Sequence, residues 1–491
     1  MDPRLDDIIA QNFAKAPTEP CLWWRGAWWS RGAIGELVME CESTLMKSGF
    51  SRGQRLGLVL PNSPVMLASC IAAWRLGGSV ALVNPHLKHP PVPDYLRSVD
   101  VFGAIVSREV DGLVDVISNA GIPVSSTALN DAVPMIDGRP GTPDTGQGLA
   151  ALFHTAGAGG DVKAVPITHL NIFTLLESII EMIPSMDEDD VILNAIPNHH
   201  SFGFVVGGIM PIAFGMPQVL IPSLVPPKTT LSAIRQAEVT IIPALPMMLG
   251  ILIGGEREIA PMSRVKLVFY GGGELMPGLA ERVKEVFGVE PLEGYGLTEA
   301  SSVLAVTPAE SAIRPGSSGR ILSCFDAEVR DRDGNLQPYN VDGRLWIHGG
   351  AVADGYYRAD GISSERFRDG WFDTQDIVRI DEDGYITIVS TADDVITVGG
   401  TLVYPGEIES ILREHPEIAD AAVIGVPRGV KGEYVEACVV LKEGSSLRSR
   451  DIISFVRRKL PNYKAPRSVR ILQELPKDNL GKVLKKELRC G

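Results

Sequence analysis

From about residue 55 to about residue 300, short apolar runs alternate with helix-length segments. Leu56-Gly-Leu-Val-Leu60 reads as a buried strand, about Pro64–Leu76 as a helix, and Ser79–Val83 as the next strand. Sustained over this length, the alternation points to an α/β architecture with largely parallel sheets, because parallel neighbours need crossover connections, usually helices. Ahead of it, Trp23-Trp24-Arg25-Gly26-Ala27-Trp28-Trp29 reads as a hairpin around a glycine turn. Its tryptophans fit sheet packing better than a stacking platform, and Ser30 is placed to cap the following helix.

The texture changes after about Pro315. Asp333-Gly334, Asp342-Gly343 and Asp383-Gly384 are hairpin-type dipeptides between short alternating runs such as Arg344-Leu-Trp-Ile347 and Tyr385-Ile-Thr-Ile-Val389. This predicts a small antiparallel β unit. From about residue 394 the pattern is mixed again: Pro405 opens a helix with apolar Ile408, Ile411 and Leu412, and Ile452, Val456 and Leu460 repeat at i,i+4 in another. A small α+β domain is expected there.

Composition excludes several classes. The chain has 491 residues, 45% hydrophobic and 22% charged, as in an ordinary globular protein of about three structural units. No apolar run reaches ~20 residues, and the N-terminus has no basic region followed by an apolar block, so neither a membrane span nor a secretory signal is expected. The six cysteines form no CxxC pair or zinc-ligand spacing and read as reduced thiols of a cytoplasmic protein. A net charge of −14 argues against nucleic acid as a partner. The charge is uneven, however. From Lys442 onward 14 Lys/Arg face 5 Asp/Glu, a basic tail of +9 on a body of −23. That tail is either a solvated surface or a site for a small polyanion.

Four segments carry chemistry. His154-Thr-Ala-Gly-Ala-Gly-Gly-Asp-Val-Lys163 is a glycine-rich loop after the apolar Ala150–Phe153; such a loop can wrap backbone N–H groups around phosphate, though its spacing is not that of a P-loop. Glu293-Gly-Tyr-Gly-Leu-Thr-Glu299 offers a stacking face at Tyr295, a hydroxyl at Thr298 and a carboxylate for Mg²⁺ at Glu299, with Tyr270-Gly-Gly-Gly-Glu274 upstream as a bed for a flat base. Trp371-Phe-Asp-Thr-Gln-Asp376 can hold a ribose diol, and Asp393-Asp394 precede Gly399-Gly400. In Pro476-Lys-Asp-Asn-Leu-Gly-Lys482 a glycine lets the chain deliver a lysine.

In this order and at these separations, the segments resemble the adenylate-forming superfamily, which includes acyl-CoA synthetases, acyl-carrier-protein ligases and luciferases. The resemblance runs along essentially the whole chain. Val59-Leu-Pro-Asn-Ser-Pro64, Pro197-Asn-His-His-Ser-Phe-Gly203, the Gly294–Glu299 motif, Gly399-Gly400-Thr-Leu-Val-Tyr-Pro-Gly-Glu-Ile-Glu409 and Gly481-Lys482 each look like a family motif. The implied fold is a large N-terminal AMP-binding domain (1–392) of two doubly wound sheets with a β-barrel-like part at about 315–392. A small mobile α+β domain (393–491) would rotate about a hinge at Asp393.

The implied chemistry has two half-reactions, attack of a carboxylate on ATP to give acyl-AMP, then attack of a thiol on acyl-AMP. By resemblance Gly272, Gly273, Glu274, Tyr295 and Gly296 would frame the adenine, and Asp376 would hold the ribose. Thr298 would touch the α-phosphate and Glu299 would bind Mg²⁺. Lys482 would stabilise charge during adenylation, and Gly400 would shape the pantetheine tunnel. His200, Phe202, Phe204 and Gly271 would border the acyl group. Arg428, Lys431, Lys464 and Arg467 are candidates for the phosphates of CoA.

Two departures stand out. The family's phosphate loop runs roughly T-S-G-[ST]-[ST]-G-x-P-K-G. Here Thr155, Gly157, Gly160 and Lys163 remain, but three hydroxyl positions are Ala156, Ala158 and Gly159. Each lost charge-assisted bond costs about 1.5–3 kcal/mol. The family's Gly-Arg pair before the hinge is Ser390-Thr391, and Thr391 offers one hydroxyl in place of a charged fork. The expectation is therefore a ligase that makes acyl-CoA from acyl-AMP with adenylation weak or lost, supplied by a separate adenylating enzyme. The alternatives are a complete ATP-dependent ligase acting on CoA or a carrier-protein phosphopantetheine, and a non-catalytic acyl-adenylate-binding protein.

Overall fold

A computed structural model describes residues 3–85, 87, 91–129, 131, 133–139, 148–156, 162–254, 259, 261–273, 275, 278–309, 313–391, 394–398, 401–427, 433–477 and 483–490. The chain divides into two compact units. One comprises Met1–Pro315, Gly319–Asp326 and Ile347–Phe372, and the other Gly316–Ser318, Ala327–Trp346 and Asp373–Gly491.

The first unit contains two sheets. A six-stranded sheet runs in the order Val124–Thr127, Gly103–Ser107, Arg55–Val59, Ser79–Leu82, Leu149–Ala156, Val162–Thr168. All its pairs are parallel except the last, a hairpin. A nine-stranded sheet runs Arg320–Ile321, Ala305–Val306, Pro291–Tyr295, Leu267–Tyr270, Ile241–Ala244, Ile192–Asn194, Gln218–Leu220, Pro20–Trp24, Ala27–Ser30. It is parallel in its middle and antiparallel at its edges. The α/β expectation holds, and the tryptophan hairpin is the antiparallel edge pair, with Trp23 edge-on to Trp28. Ser30 caps the helix Arg31–Lys47 by accepting from Ala33 N.

The helix Pro64–Arg75 is apolar on every face and is buried along its length from Pro64 to Trp74. A helix without a polar stripe has to lie inside. Its Trp74 donates from Nε1 to Ala150 O at 2.8 Å, which ties the helix to the strand that leads into the phosphate loop.

The β-rich stretch after residue 315 contributes Phe325–Arg330, Gly343–Gly349, Phe367–Arg368, Trp371–Ile380 and Ile386–Thr391 to a five-stranded sheet. Asp383-Gly384 turns between the last two strands, with Gly384 at φ 79°, and Gly334 lies at φ 87°. Asp342-Gly343 is not a turn. Gly343 opens a strand, and a Cβ there would meet Arg330 O at 2.7 Å. Close approach of another backbone, not a positive φ, requires this glycine.

The second unit contains a three-stranded sheet of Ile418–Pro427, Glu433–Leu441 and Ser468–Leu472, covered by amphipathic helices Pro405–Arg413 and Ser449–Arg457. Ile408, Leu412, Ile452 and Val456 join one core with Val423, Ala437 and Val439. Leu460 packs on that core from beyond the helix end, where Pro461 disfavours continued α structure.

Candidate functional site

In an open α/β sheet, ligands gather at the carboxyl ends of the strands. Strands Leu267–Tyr270 and Pro291–Tyr295 are parallel, with Tyr270 opposite Glu293, so Gly271–Gly273 and Gly294–Gly296 lie together at the carboxyl ends of neighbouring strands. Tyr270 donates its hydroxyl to Glu293 Oε2 at 2.8 Å. A Cβ on Gly296 would lie 1.8 Å from Ser302 O, so only glycine fits. The chain then turns sharply through Ser301 (φ 59°) and Ser302 (φ 131°), backbone that side chains rarely adopt. Ser301 is anchored by donating to Ala351 O at 2.7 Å.

That turn presents Thr298 and Glu299, both largely buried. Ser201 donates to Thr298 Oγ1 at 3.4 Å, which joins the Pro197–Gly203 segment to the Gly294–Glu299 motif. Tyr356 donates its hydroxyl to Glu299 Oε1 at 2.7 Å, and Ala353 N donates to Glu299 O at 2.8 Å. The Lys163 ammonium lies 4.8 Å from the centre of the same Tyr356 ring. Lys163 stands opposite Thr155 across the hairpin, and Tyr357 N donates to Ala164 O, which fastens the hairpin beside the carboxylate. One side of Tyr356 thus holds the phosphate-loop lysine and its tip holds the candidate metal carboxylate. A single carboxylate can serve Mg²⁺ where substrate phosphates supply further oxygens. No cluster of three or more His, Cys, Asp or Glu that could hold a metal ion occurs among the described residues.

His200 accepts at Nδ1 from Phe202 N at 3.3 Å, and the Phe202 ring lies 5.9 Å from that of Phe269. Phe204 is fully buried between Phe153 and Trp74, deeper than its neighbours in the motif. His154, at the end of its strand, stacks on His199 at 6.1 Å, and burial pushes its pKa down. His169, just after the hairpin, accepts at Nδ1 from Leu5 N at 3.3 Å. Burial, then the Arg4 charge, pushes its pKa to about 3.

In the second unit, Asp376 sits opposite Thr391 on adjacent antiparallel strands. The preceding Gln375 has φ 63°, and Asp376 N donates to Thr374 Oγ1 at 3.1 Å, so a local kink sets the direction of this aspartate. Several cations of the basic tail are paired within their own unit. Lys464 binds Glu407 at 2.5 Å, Lys485 binds Glu409 at 2.8 Å, Arg470 binds Glu436, Lys477 binds Asp420 and Arg489 binds Asp394. Arg467 is exposed and donates its backbone N–H to Val435 O. Gly157, Gly160, Glu274, Asp393, Gly400, Arg428, Lys431 and Lys482, and the side chain of Thr391, lie outside the described residues.

Tyr356 escaped the sequence reading. Its signal was slight: a Gly355-Tyr356-Tyr357 triplet after a strand, with nothing to say that it returns across 57 positions to Glu299.

Comparison with known proteins agrees with this geometry. The AMP-binding enzyme family model matches residues 9–357 and the model of its C-terminal domain matches residues 407–482. A 4-coumarate–CoA ligase-like protein of Oryza sativa is 30% identical over 89% of this chain and 83% of its own length. A long-chain-fatty-acid–CoA ligase of Yersinia pestis is 33% identical over 69% of this chain and 61% of its own. Among solved structures, ATP-bound MatB from Rhodopseudomonas palustris superposes with TM-score 0.88 at 24% identity, over 100% of this chain and 98% of that one. The o-succinylbenzoate CoA synthetase of Bacillus subtilis, in complex with its acyl-adenylate, gives 0.86 at 23%, over 100% and 98%. Matched along most of its length, the chain belongs to the AMP-binding enzyme family, on its acyl-CoA ligase branch.

Proposed function

We propose that this enzyme forms an acyl-CoA thioester from an acyl-adenylate and CoA, and that its ATP-dependent adenylation is weak or lost. The observation that carries the reading is the replacement of three phosphate-loop hydroxyls by Ala156, Ala158 and Gly159, while Tyr295, Thr298 and Asp376 are kept. An acyl-adenylate has no β- or γ-phosphate, so a site without those donors can still hold its AMP moiety. Thr298 would donate to the α-phosphate, the Gly271–Gly273 and Gly294–Gly296 backbones would flank the base, and Asp376 would accept from the ribose diol. His200 and Phe202 would border the acyl group. The thiol of CoA then attacks the acyl carbonyl: a C–S bond forms, the S–H proton is released to solvent, the C–O bond to AMP breaks, and AMP leaves with the electron pair.

For that second step the domain 393–491 would rotate about Asp393 and bring the Gly399–Glu409 segment to the acyl group. A separate enzyme would supply the acyl-adenylate, in the cytoplasm. The test pairs ATP–pyrophosphate exchange, over a panel of acids, with thioester formation from synthetic acyl-adenylates. Thioester formation at least ~100-fold faster than exchange is expected, the size of one to two lost charge-assisted bonds. Robust exchange with any acid sinks the half-reaction reading.

A complete ATP-dependent acid–CoA or acid–carrier-protein ligase is the second reading. It is favoured by Lys163 and by the Tyr356-held Glu299, which would hold Mg²⁺ beside ATP phosphates and neutralise their charge.

A further inference from the structure

Asn62, Asn194, Asn198 and Gln218 are all nearly or fully buried in the first unit, and their amides form one network. Asn62 Nδ2 reaches Ile196 O at 2.9 Å and Asn194 Oδ1 at 3.1 Å, and its Oδ1 accepts from Asn198 N at 2.7 Å. Asn194 Nδ2 donates to Gln218 Oε1 at 2.8 Å, and Gln218 Nε2 donates to Gly208 O at 2.9 Å. With its amide oriented to match these partners, Asn198 donates to Asn194 Oδ1 at 2.8 Å and to Gly203 O at 3.0 Å.

The network grips a π-helical segment, Gly203–Ile209. Its glycines make the grip close. A Cβ on Gly203 would meet Ile196 O and Pro197 O at 2.5 Å, and one on Gly208 would meet the Asn198 amide at 3.2 Å. Buried amides leave a segment little freedom when each has a partner, because any shift strands a donor or acceptor away from water. Wide helical turns of this kind recur at functional sites. Between Asn198 and Gly203 lies the turn His199-His200-Ser201-Phe202. Its other side meets Thr298 through Ser201 and Phe269 through Phe202.

We propose that Asn198 is a positioning residue that fixes this turn against Thr298 and so determines which acyl groups the site accepts, without itself touching the nucleotide. The inference rests on the acyl-adenylate reading above. The amide network sets the floor under His200 and Phe202, and the bed for AMP at Gly271–Gly273 and Gly294–Gly296 stands on other strands.

The test measures binding of two probes by calorimetry, AMP and a series of acyl-sulfamoyl adenosines with acyl chains of graded length. In Asn198→Ala, affinity for AMP stays within about twofold, whereas affinity for the best acyl-sulfamoyl adenosine falls ~10-fold or the preferred chain length changes. Gly208→Ala pushes a methyl group against the Asn198 amide and shifts the acyl probes in the same direction by a smaller factor. It carries the test if Asn198→Ala does not fold. Parallel loss of AMP and acyl probes, or acyl affinities unmoved in both variants, overturns the positioning role. A wild-type protein that binds neither probe overturns the acyl-adenylate reading, and this inference with it.

Discussion

Two strand ends of the first unit, both assigned to the nucleotide in the proposed reading, differ in how their side chains are held. At the end of Pro291–Tyr295, Thr298 and Glu299 are buried and each has a partner, Ser201 for the first and Tyr356 for the second. At and after the end of Leu149–Ala156 the chain carries Ala156, Ala158 and Gly159, and on the proposed reading these stand where hydroxyls would bind a polyphosphate. Tyr356 joins the two, with its hydroxyl on Glu299 and its ring under Lys163. If the proposed reading holds, the difference teaches that packing can preserve residues for AMP even where those for pyrophosphate are not preserved. A buried, partnered residue is costly to lose, whereas a loop hydroxyl is costly only if the reaction needs it.

The largest effect expected is therefore a gain. The triple change Ala156→Ser, Ala158→Thr, Gly159→Ser restores the hydroxyl pattern. Each charge-assisted bond regained is about 1.5–3 kcal/mol, so ATP–pyrophosphate exchange should rise ~100-fold or more. Thioester formation from acyl-adenylate should change less than about twofold. Exchange that stays flat would show that the loop hydroxyls are not what separates the two ends.

Tyr356→Phe breaks the other side of the comparison. The ring stays under Lys163, but Glu299 loses its donor while still largely buried. A hydrogen bond to a charged group is typically about 1.5–3 kcal/mol, and a loss of that order is expected in urea denaturation. Tyr356→Leu should lose roughly a further 0.5–1 kcal/mol with the cation–π contact. Equal stability of all three proteins would mean that Glu299 is held by its backbone alone.

His169 lies at the base of the phosphate-loop hairpin and brings a buried imidazole whose titration burial displaces. Its pKa is about 3 in the fold and about 6.5 in the unfolded chain. Between those values the unfolded chain binds the extra proton. The contribution is complete above pH ~6.5 and falls as the pH drops toward 3, by up to about 1.4 kcal/mol per unit. At pH 5 the loss is roughly 2 kcal/mol. His169→Asn keeps an acceptor for Leu5 N and removes the titration. Its melting temperature should fall less between pH 7 and pH 5 than that of the wild type. Identical acid profiles would place the acid-sensitive group elsewhere.

The largely parallel α/β sheets and the close backbone approach at Gly296 were legible because periodicity and glycine placement are local signals. Asp342-Gly343 was misread because a glycine required by backbone approach looks, in sequence, like one required by a turn. Tyr356 was illegible because its role depends on a loop returning to a carboxylate 57 residues away. The amide network was hidden for the same reason: Asn62 and Asn194 are 132 positions apart, and nothing in either local sequence names the other. The charge asymmetry was legible as arithmetic but not as a site. Counting from Lys442 separated the tail's cations from the acidic residues at 394–436 that the fold pairs with them.

That pairing changes what the tail can offer CoA, and the smallest predicted effect follows from it. Lys464 and Arg467 were equivalent candidates in sequence. In the structure the Lys464 ammonium is bound to Glu407 with its side chain mostly covered, so turning it to a phosphate would first break an ion pair. Arg467 is exposed, and its guanidinium makes no ion pair among the described residues. Exposed cations contribute modestly to phosphate binding and are screened by salt. Arg467→Ala should raise the KM for CoA about 3-fold at low ionic strength, with less effect at high salt, and leave acyl-adenylate binding unchanged. Lys464→Ala should move the KM by less than Arg467→Ala and cost a little stability through the stranded Glu407. If Lys464→Ala had the larger effect on KM, Glu407 would be a positioning partner for a CoA-binding lysine, and Glu407→Gln should then raise the KM as well. If neither variant moved it, the tail would serve the stability of its own unit.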